Sequence, residues 1–303
     1  MFAKTVIIIA GPTAVGKTAL ALQLAQHFKT AIISADSRQC FKEISIGTAK
    51  PTTEELAAIP HYFINTHSIF DTVNAGIFEQ YALQTCSKIL ENNQVVIMVG
   101  GTGLYIKAFV EGIDAMPEIP IEIREKIVAQ YQEKGLLWLQ ENVQSKDPVF
   151  WENAEQQNPQ RLLRALEVME YSGQSITQFR LKQTKERPFN IIQIGLEKPR
   201  DLLVQHIHER VDIMIKMGLV EEVASLVVHQ QLNALQTVGY QEIFAYLNKE
   251  ISLPQAIEKI KINTRQYAKR QMTWFKKQPN IQWFQQQTST ITEVLDFLHH
   301  SNK

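Results

Sequence analysis

A segment near the start of the chain has the glycine spacing and the lysine of a phosphate-binding loop. It reads Gly11-Pro12-Thr13-Ala14-Val15-Gly16-Lys17-Thr18. Glycines let main-chain N–H groups surround phosphate oxygens, and the start of a following helix adds a favourable dipole. Lys17 supplies a positive charge, and the Thr18 hydroxyl suits a hydrated Mg²⁺. A glycine-rich turn without a ligand is the alternative, but the strand and helix patterns on either side favour phosphate binding.

A carboxylate follows the next apolar run, in the segment Asp36-Ser37-Arg38-Gln39. It would lie at the carboxyl edge of a strand, close to the phosphate-binding loop. Asp36 could accept a proton as a general base, or serve as an outer-shell Mg²⁺ ligand or a loop cap, and the residues alone favour neither role. By contrast, the run Val95–Val99 leads into Gly100-Gly101-Thr102-Gly103, without the Mg²⁺-binding aspartate of ATPases. That difference disfavours a motor or a switch.

The elements around these residues predict an α/β fold. The runs Thr5–Ala10, Ala31–Ala35 and Val95–Val99 are apolar without alternation, as in strands that are buried on both faces. Apolar residues at helical spacing occupy Lys17–Phe28 and Ile77–Leu90. Alternating strands and helices indicate a parallel sheet with ligands at the carboxyl ends of its strands. The phosphate-binding loop between the first strand and helix makes a P-loop NTPase-like core the expected fold.

The pattern becomes helical in the middle of the chain, where Pro117 and Pro120 precede helical periods from Ile121 to Gln183. We therefore expect residues 1–114 to form the first part of the core and 115–188 a helical insertion. Residues 189–303 would complete the core. This last part contains a strand candidate, Asn190–Leu196, and helical segments at Leu202–Val228 and Pro254–Lys277.

Composition excludes several protein classes. With 303 residues, 45% of them hydrophobic and 20% charged, the chain is long enough to bury a sizeable core. Its apolar runs are too short to span a bilayer, and no export signal is visible. Cys40 and Cys86 match no metal or redox spacing, so a reducing cytoplasmic setting is expected.

Charge is balanced overall, with 31 basic and 31 acidic residues, but it is not evenly distributed. The segment Lys259–Lys277 contains seven basic residues and no acidic one, interleaved with Tyr267, Trp274 and Phe275. Such a segment could bind a phosphate backbone and stack on bases. It could equally be a solvated helix face whose aromatic rings belong to the core.

Eight motifs together resemble the tRNA dimethylallyltransferase family, and the similarity extends from about residue 5 to residue 277. They are GPTAVGKT, DSRQCF, IGTAKP, VGGTGLY, NPQRLLRALEV, HERVDIMIKMGLVEEV, VGYQEI and TRQYAKRQMTWF. The resemblance implies transfer of a dimethylallyl group from dimethylallyl diphosphate to N6 of the adenine at tRNA position 37, next to the anticodon. The loop would then bind the departing diphosphate, which accounts for the missing ATPase carboxylate. Where the family often has Pro-His-His, this chain has Pro60-His61-Tyr62.

The resemblance also implies roles for individual residues. Asp36, Thr13 and Arg210 would be catalytic, with Asp36 as the base and with Thr13 and Arg210 in contact with the diphosphate, and Thr18 would bind Mg²⁺. The diphosphate would be held by Gly11, Pro12, Thr13, Ala14, Val15, Gly16, Lys17 and Thr18. Contacts to tRNA would come from Asp36, Ser37, Arg38, Gln39, Thr102, Arg124, Gln160, Arg161, Leu162, Leu163 and Arg164.

Plainer alternatives stay open for several of these residues. Arg210 could form a surface ion pair with Glu209 or Asp212, which is the commoner fate of an exposed arginine. Thr102 could belong to an ordinary turn. Arg164 could pair with Glu167 three positions along the same helix.

The overall expectation is a cytoplasmic, monomeric, Mg²⁺-dependent enzyme that acts on the tRNA anticodon stem-loop, with no membrane and no obligate protein partner. The nearest rival is a prenyltransferase that modifies a free adenine nucleotide, which would need neither the insertion nor the basic segment. A small-molecule kinase and a non-catalytic RNA-binding ATPase are more distant rivals. An assay for prenyl transfer to tRNA would distinguish the expected enzyme from all of these rivals.

Overall fold

A computed structural model describes residues 4–180, 184–287 and 290–301. Its core is a six-stranded sheet in which every pairing is parallel, in the order β3-β2-β4-β1-β5-β6. The strands are β1 (Thr5–Ala10), β2 (Ile32–Ser34), β3 (His61–Tyr62), β4 (Val95–Gly100), β5 (Asn190–Glu197) and β6 (Ile281–Gln285). The predicted α/β fold is thereby confirmed.

Helices of the core follow or precede these strands. They are α1 (Lys17–Phe28), α2 (Thr53–Ala58), α3 (Ala75–Asn92), α4 (Gly103–Glu111), α9 (Arg200–Lys216), α10 (Leu219–Ala224), α11 (Tyr240–Leu247), α12 (Leu253–Phe275) and α13 (Thr290–Ser301). Two short 3₁₀ turns, Val227–His229 and Asn233–Leu235, lie between α10 and α11. In the part of the chain that the structure describes, no helix is long and apolar enough to cross a membrane.

The central strand β1 explains why the sequence pattern identified the sheet so clearly. All six of its residues are buried, because β4 pairs with one edge, β5 with the other, and helices cover the faces. Its last residue, Ala10, pairs with Gly100 of β4 and Gly195 of β5. The carboxyl ends of these strands therefore meet beside the loop that follows β1.

One predicted helix is shorter than expected. The periodic segment Leu202–Val228 is interrupted, because α9 ends at Lys216 and Gly218 adopts a left-handed conformation with φ of +99°. A residue with a side chain rarely adopts that conformation, so Gly218 ends one helix and begins the next.

The helical insertion forms a compact unit of its own, residues 112–185, while residues 1–111 and 186–303 form the other. Its helices are α5 (Ile121–Lys146), α6 (Pro148–Trp151), α7 (Pro159–Ser172) and α8 (Ile176–Phe179). The insertion has its own apolar core, in which Leu139 and Val143 of α5 pack with Leu162 and Leu166 of α7. Gly135, with φ of +76°, kinks α5.

Candidate active site

The phosphate-binding loop has the backbone that its glycines predict. Gly11 and Gly16 have φ of +147° and +104°, and a Cβ on Gly11 would lie 2.6 Å from the Leu196 carbonyl oxygen. Lys17 Nζ donates to the Pro12 carbonyl at 2.7 Å and so lies across the loop. Thr18 is exposed in the first turn of α1. The Thr18 hydroxyl, the Lys17 ammonium group and the start of α1 thus lie together.

Lys17 has an unusual electrostatic environment. Burial away from water, and to a smaller extent the neighbouring Arg210, lower the pKa of its ammonium group to about 7, while Asp36 opposes the shift. Two cations and one carboxylate therefore interact at the mouth of the loop. The excess positive charge favours an anion there.

Asp36 lies just beyond the carboxyl end of β2, and the main chain holds one of its two oxygens. Oδ1 accepts hydrogen bonds from the N–H groups of Arg38, at 2.9 Å, and Gln39, at 3.4 Å. Among residues 4–180, 184–287 and 290–301, no group donates to Oδ2. The carboxylate is thus held in place with one oxygen available to a ligand.

The ends of β2 and β4 are tied together next to Asp36. Ser37 N–H donates to Thr102 Oγ1 at 3.0 Å, and Thr102 N–H donates to the Ala35 carbonyl at 3.3 Å. Gly100 permits this approach, because a Cβ there would lie 2.1 Å from the Ala35 carbonyl oxygen. Thr102 therefore helps to fix the segment that carries Asp36.

Gln39 is already engaged by the protein. Its Oε1 accepts from Ser34 Oγ at 2.9 Å, and its Nε2 donates to the carbonyls of Thr48, at 3.3 Å, and Ala49, at 3.1 Å. Both amide hydrogens are thereby used. A contact of this side chain with tRNA, as the sequence analysis predicts, would require these bonds to break.

Two cavities, each about 380 Å³, share Arg210. One is lined by Ala14, Gly16, Lys17, Thr18, His206, Glu209, Arg210 and Ile213. The lining of the other includes Thr13, Asp36, Ser37, Arg38, Arg210, Met214, Tyr267 and Arg270. Arg210 Nη1 lies 3.5 Å from Thr13 Oγ1, a long contact, so the guanidinium lies against the loop. Burial lowers the pKa of the Arg210 guanidinium below its ordinary value, and the nearby Asp36 carboxylate offsets part of that shift.

Two polar groups at the site were missed by the sequence analysis. Gln271, 7% exposed, accepts from Thr13 N–H at 2.8 Å and donates to the Gly101 carbonyl at 2.9 Å. His206 Nδ1 lies 2.9 Å from Lys198 Nζ. Gln271 falls within the basic segment, and nothing in the neighbouring sequence marks it as a site residue. His206 is an isolated histidine, which gives no motif to identify it.

The basic segment, which lies on α12 except for its last two residues, is partly a surface and partly core. Arg265, Lys269 and Lys277 are exposed, whereas Lys261 pairs with Asp212 at 2.7 Å. Phe275 is fully buried. Tyr267 lines the second cavity with Arg270, whose guanidinium carbon lies 5.9 Å from the ring centre, and burial raises the Tyr267 pKa to about 12.

In the insertion, the predicted tRNA contacts differ in accessibility. Gln160 and Arg161 are exposed near the start of α7, and Arg161 lies 3.1 Å from Glu155. Arg124 Nε and Arg164 Nη1 lie 3.5 Å and 3.3 Å from opposite oxygens of Glu167, which is 6% exposed. These two arginines share one carboxylate.

Leu162 and Leu163 require a correction. They are 0% and 6% exposed, because both side chains pack in the apolar core of the insertion. The expectation that they contact tRNA is therefore wrong for their side chains. They stand in a motif beside exposed residues because one face of a helix recurs every three to four residues, so core and surface positions are mixed along the sequence.

Comparison with known proteins gives a consistent result. The family model described as IPP transferase matches residues 39–278. A tRNA dimethylallyltransferase 1 of Bacteroides thetaiotaomicron is 43% identical, over 98% of this chain and 96% of the relative. A tRNA dimethylallyltransferase of Christiangramia forsetii is 46% identical over 92% of each chain.

Solved structures agree with these relatives. A tRNA isopentenylpyrophosphate transferase from Bacillus halodurans has a TM-score of 0.73 at 32% identity, with 98% of this chain and 96% of that chain covered. A eukaryotic dimethylallyltransferase acting on tRNA has a TM-score of 0.79 at 25% identity, with 98% and 80% covered.

Proposed function

The chain belongs to the IPP transferase family, whose curated relatives are tRNA dimethylallyltransferases, and we propose that it transfers the dimethylallyl group of dimethylallyl diphosphate to N6 of the adenine at tRNA position 37, with release of diphosphate. It is a transferase that modifies tRNA. A cytoplasmic, monomeric enzyme that needs no protein partner is part of the same proposal. The observation that carries the proposed chemistry is the available Oδ2 of Asp36 in a cavity shared with Thr13 and Arg210.

The phosphate-binding loop and Arg210 would bind the diphosphate of the donor. Main-chain N–H groups at the start of α1 point toward an anion in this position, and Lys17 adds a charge. A guanidinium can bridge two phosphate oxygens. As the allylic C–O bond breaks, negative charge accumulates on the diphosphate, and these groups are already arranged to stabilise it.

Asp36 would accept the proton that the acceptor loses. The adenine N6 attacks the allylic carbon, the C–O bond to diphosphate breaks, and the new C–N bond leaves a positive charge on N6. Transfer of one N6 proton to Asp36 Oδ2 removes that charge. Because Oδ1 is held by two main-chain N–H groups, Oδ2 has a fixed direction in which to receive the proton.

The second cavity supports an extruded base as acceptor. An adenine stacked within an anticodon loop would not reach Asp36, so it must turn out of the stack, which a single-stranded loop allows at low cost. Tyr267 and Arg270 line the cavity and offer a stacking surface and a cation for the adjoining phosphate.

Mg²⁺ fits this site as a partner of the diphosphate. Within the described chain, no group of three or more His, Cys, Asp or Glu residues is suited to a metal ion. Thr18 is an exposed residue beside Lys17, and Mg²⁺ usually combines few protein ligands with substrate phosphates and water. When bound, the ion would neutralise charge on the departing diphosphate.

The test combines purified protein, Mg²⁺, labelled dimethylallyl diphosphate and unmodified tRNA, followed by digestion and mass spectrometry of the nucleosides. We expect label on N6 of the adenosine 3′ to the anticodon. Asp36→Asn, which keeps the shape but not the basicity, should abolish transfer and leave tRNA binding intact. Asp201→Asn, which changes an exposed carboxylate in the first turn of α9, is the matched control and should transfer normally.

Parallel reactions separate the rival functions. Label on free AMP alone would select a nucleotide prenyltransferase. ATP turnover without prenyl transfer would select a kinase or an ATPase. Normal transfer by Asp36→Asn would remove Asp36 from the mechanism while leaving the function itself in place.

A further inference from the structure

We infer that Glu222 is a positioning residue, which fixes the loop formed by residues 45–49 and, through that loop, the orientation of Asp36. The inference rests on the proposed function. Glu222 belongs to α10 and does not line the cavity that contains Asp36 in the described chain. Its influence on the reaction would therefore pass through other groups.

The Glu222 carboxylate receives four hydrogen bonds. Oε2 accepts from the N–H groups of Ser45 and Ile46, both at 2.9 Å. Oε1 accepts from Gly47 N–H at 3.1 Å and from the Tyr240 hydroxyl at 2.5 Å. Bonds to an ionised acceptor are about twice as strong as neutral ones, so three consecutive N–H groups are anchored to one side chain.

Tyr240 packs against the same loop. It is fully buried, and a Cβ on Gly47 would lie 2.4 Å from its ring carbon Cε2. The loop thus lies directly against the ring, and only glycine fits at this point. Burial and Glu222 both raise the Tyr240 pKa above its ordinary value, so the hydroxyl stays protonated and donates to the carboxylate.

The anchored loop connects to Asp36 by hydrogen bonds. The carbonyls of Thr48 and Ala49 accept from Gln39 Nε2 at 3.3 Å and 3.1 Å. Gln39 N–H in turn donates to Asp36 Oδ1. Gly47 and Thr48 also line the cavity that contains Asp36. Movement of the loop would therefore change both the acceptor cavity and the direction of Oδ2.

The first test is Glu222→Gln, measured with the transfer assay. An amide nitrogen cannot accept a hydrogen bond, so the variant loses the bonds made to one oxygen while keeping its volume. We expect kcat to fall by about tenfold or more, because misplacing a reacting group has effects of that size. Binding of inorganic diphosphate should stay within about twofold, since the phosphate-binding loop has no bond to Glu222. Glu221→Gln, at an exposed neighbouring position, is the control.

A double-mutant cycle with Gln39→Ala tests the route of the effect. If Glu222 acts through Gln39, the double variant should lose less activity than the product of the two single losses. Gly47→Ala disturbs the same loop by the clash with Tyr240 and should reproduce the loss of kcat with intact diphosphate binding. Gly47→Ala takes the place of Glu222→Gln as the test if Glu222→Gln fails to fold.

The outcomes are distinct. Unchanged kcat in both Glu222→Gln and Gly47→Ala would overturn the inference, as would a parallel loss of diphosphate binding or independent, multiplicative effects in the cycle. Each of these leaves the wild-type reaction intact. Absence of prenyl transfer by the wild-type enzyme would instead refute the proposed function.

Discussion

Gln271 joins the phosphate-binding loop to the sheet, because its side-chain oxygen accepts a hydrogen bond from the N–H of Thr13 at 2.8 Å. Its amide nitrogen donates to the Gly101 carbonyl at 2.9 Å. One carboxamide from α12 thus bridges the loops that follow β1 and β4. Thr13 faces Arg210 through its hydroxyl, so this bridge also sets where the loop meets the guanidinium.

Replacing this bridge should cost stability and activity together. Gln271→Leu leaves the half-buried Thr13 N–H and the buried Gly101 carbonyl without partners. An unpaired polar group costs about 1–3 kcal/mol when it is buried and less when water reaches it. We expect a lower free energy of unfolding in urea and a reduced kcat. Gln266→Leu, at an exposed position on the same helix, is the control. Full stability of Gln271→Leu would show that water replaces the bridge.

Binding of diphosphate should take up a proton near neutral pH. With a pKa of about 7, Lys17 is charged below that pH in the free protein and largely neutral above it. A bound anion raises this pKa, so proton uptake should be small at pH 6 and approach about one at pH 8. Affinity should correspondingly weaken as pH rises.

Calorimetric titration with diphosphate at pH 8, in buffers of different ionisation enthalpy, measures that uptake. Lys17→Met should lack it, and subtracting this variant removes the protons that belong to the diphosphate itself. Equal uptake by both proteins would contradict a lowered lysine pKa.

The sequence predicted those elements whose local pattern matches their burial. The strand β1 (Thr5–Ala10) and the helix α1 (Lys17–Phe28) have the predicted limits, since one is buried on both faces and the other begins directly after its loop. The strand β3 has two residues and β6 lies at the edge of the sheet, so neither offers an apolar run. Both were missed for that reason.

Hydrogen bonds between residues far apart in the chain could not be predicted from the sequence. The contact between Gln271 and Thr13 spans 258 positions, and that between Glu222 and Gly47 spans 175. No local period reports such a bond, because it depends on how α10 and α12 pack. The motif residues were still located near one another, since parallel strands bring their carboxyl ends to one edge.

Arg210 should be more than a positive charge. Arg210→Ala should lower kcat/KM for the prenyl donor by about 10²–10³-fold, the usual effect of removing a group that stabilises developing charge. Arg210→Lys keeps the charge but not the planar guanidinium, so we expect an intermediate loss. The measurement is donor titration at saturating tRNA.

Arg200→Ala, at an exposed position at the start of the same helix, controls for a general change of charge. If Arg210→Lys and wild type were equal, the role of Arg210 would be that of a point charge. If Arg210→Ala were unchanged, the residue would not bind the donor.

Glu167 should limit the affinity of the insertion for tRNA. Its carboxylate holds both Arg124 and Arg164, so phosphates must compete with it for the two guanidiniums. Glu167→Gln removes the competing charge, and we expect tighter tRNA binding with a slope of log K against log salt that is steeper by about one. The pairs are partly exposed, so the loss of stability should be about 1–2 kcal/mol, less than for a fully buried ion pair.

Filter binding of tRNA between low and moderate salt measures this effect. Glu170→Gln, which breaks the pair with Lys146 in the same unit, is the matched control and should leave the slope unchanged. An unchanged affinity and slope in Glu167→Gln would mean that Arg124 and Arg164 do not contact phosphate. A similar gain in both variants would indicate a general effect of net charge, because the two substitutions remove the same charge from the same helix.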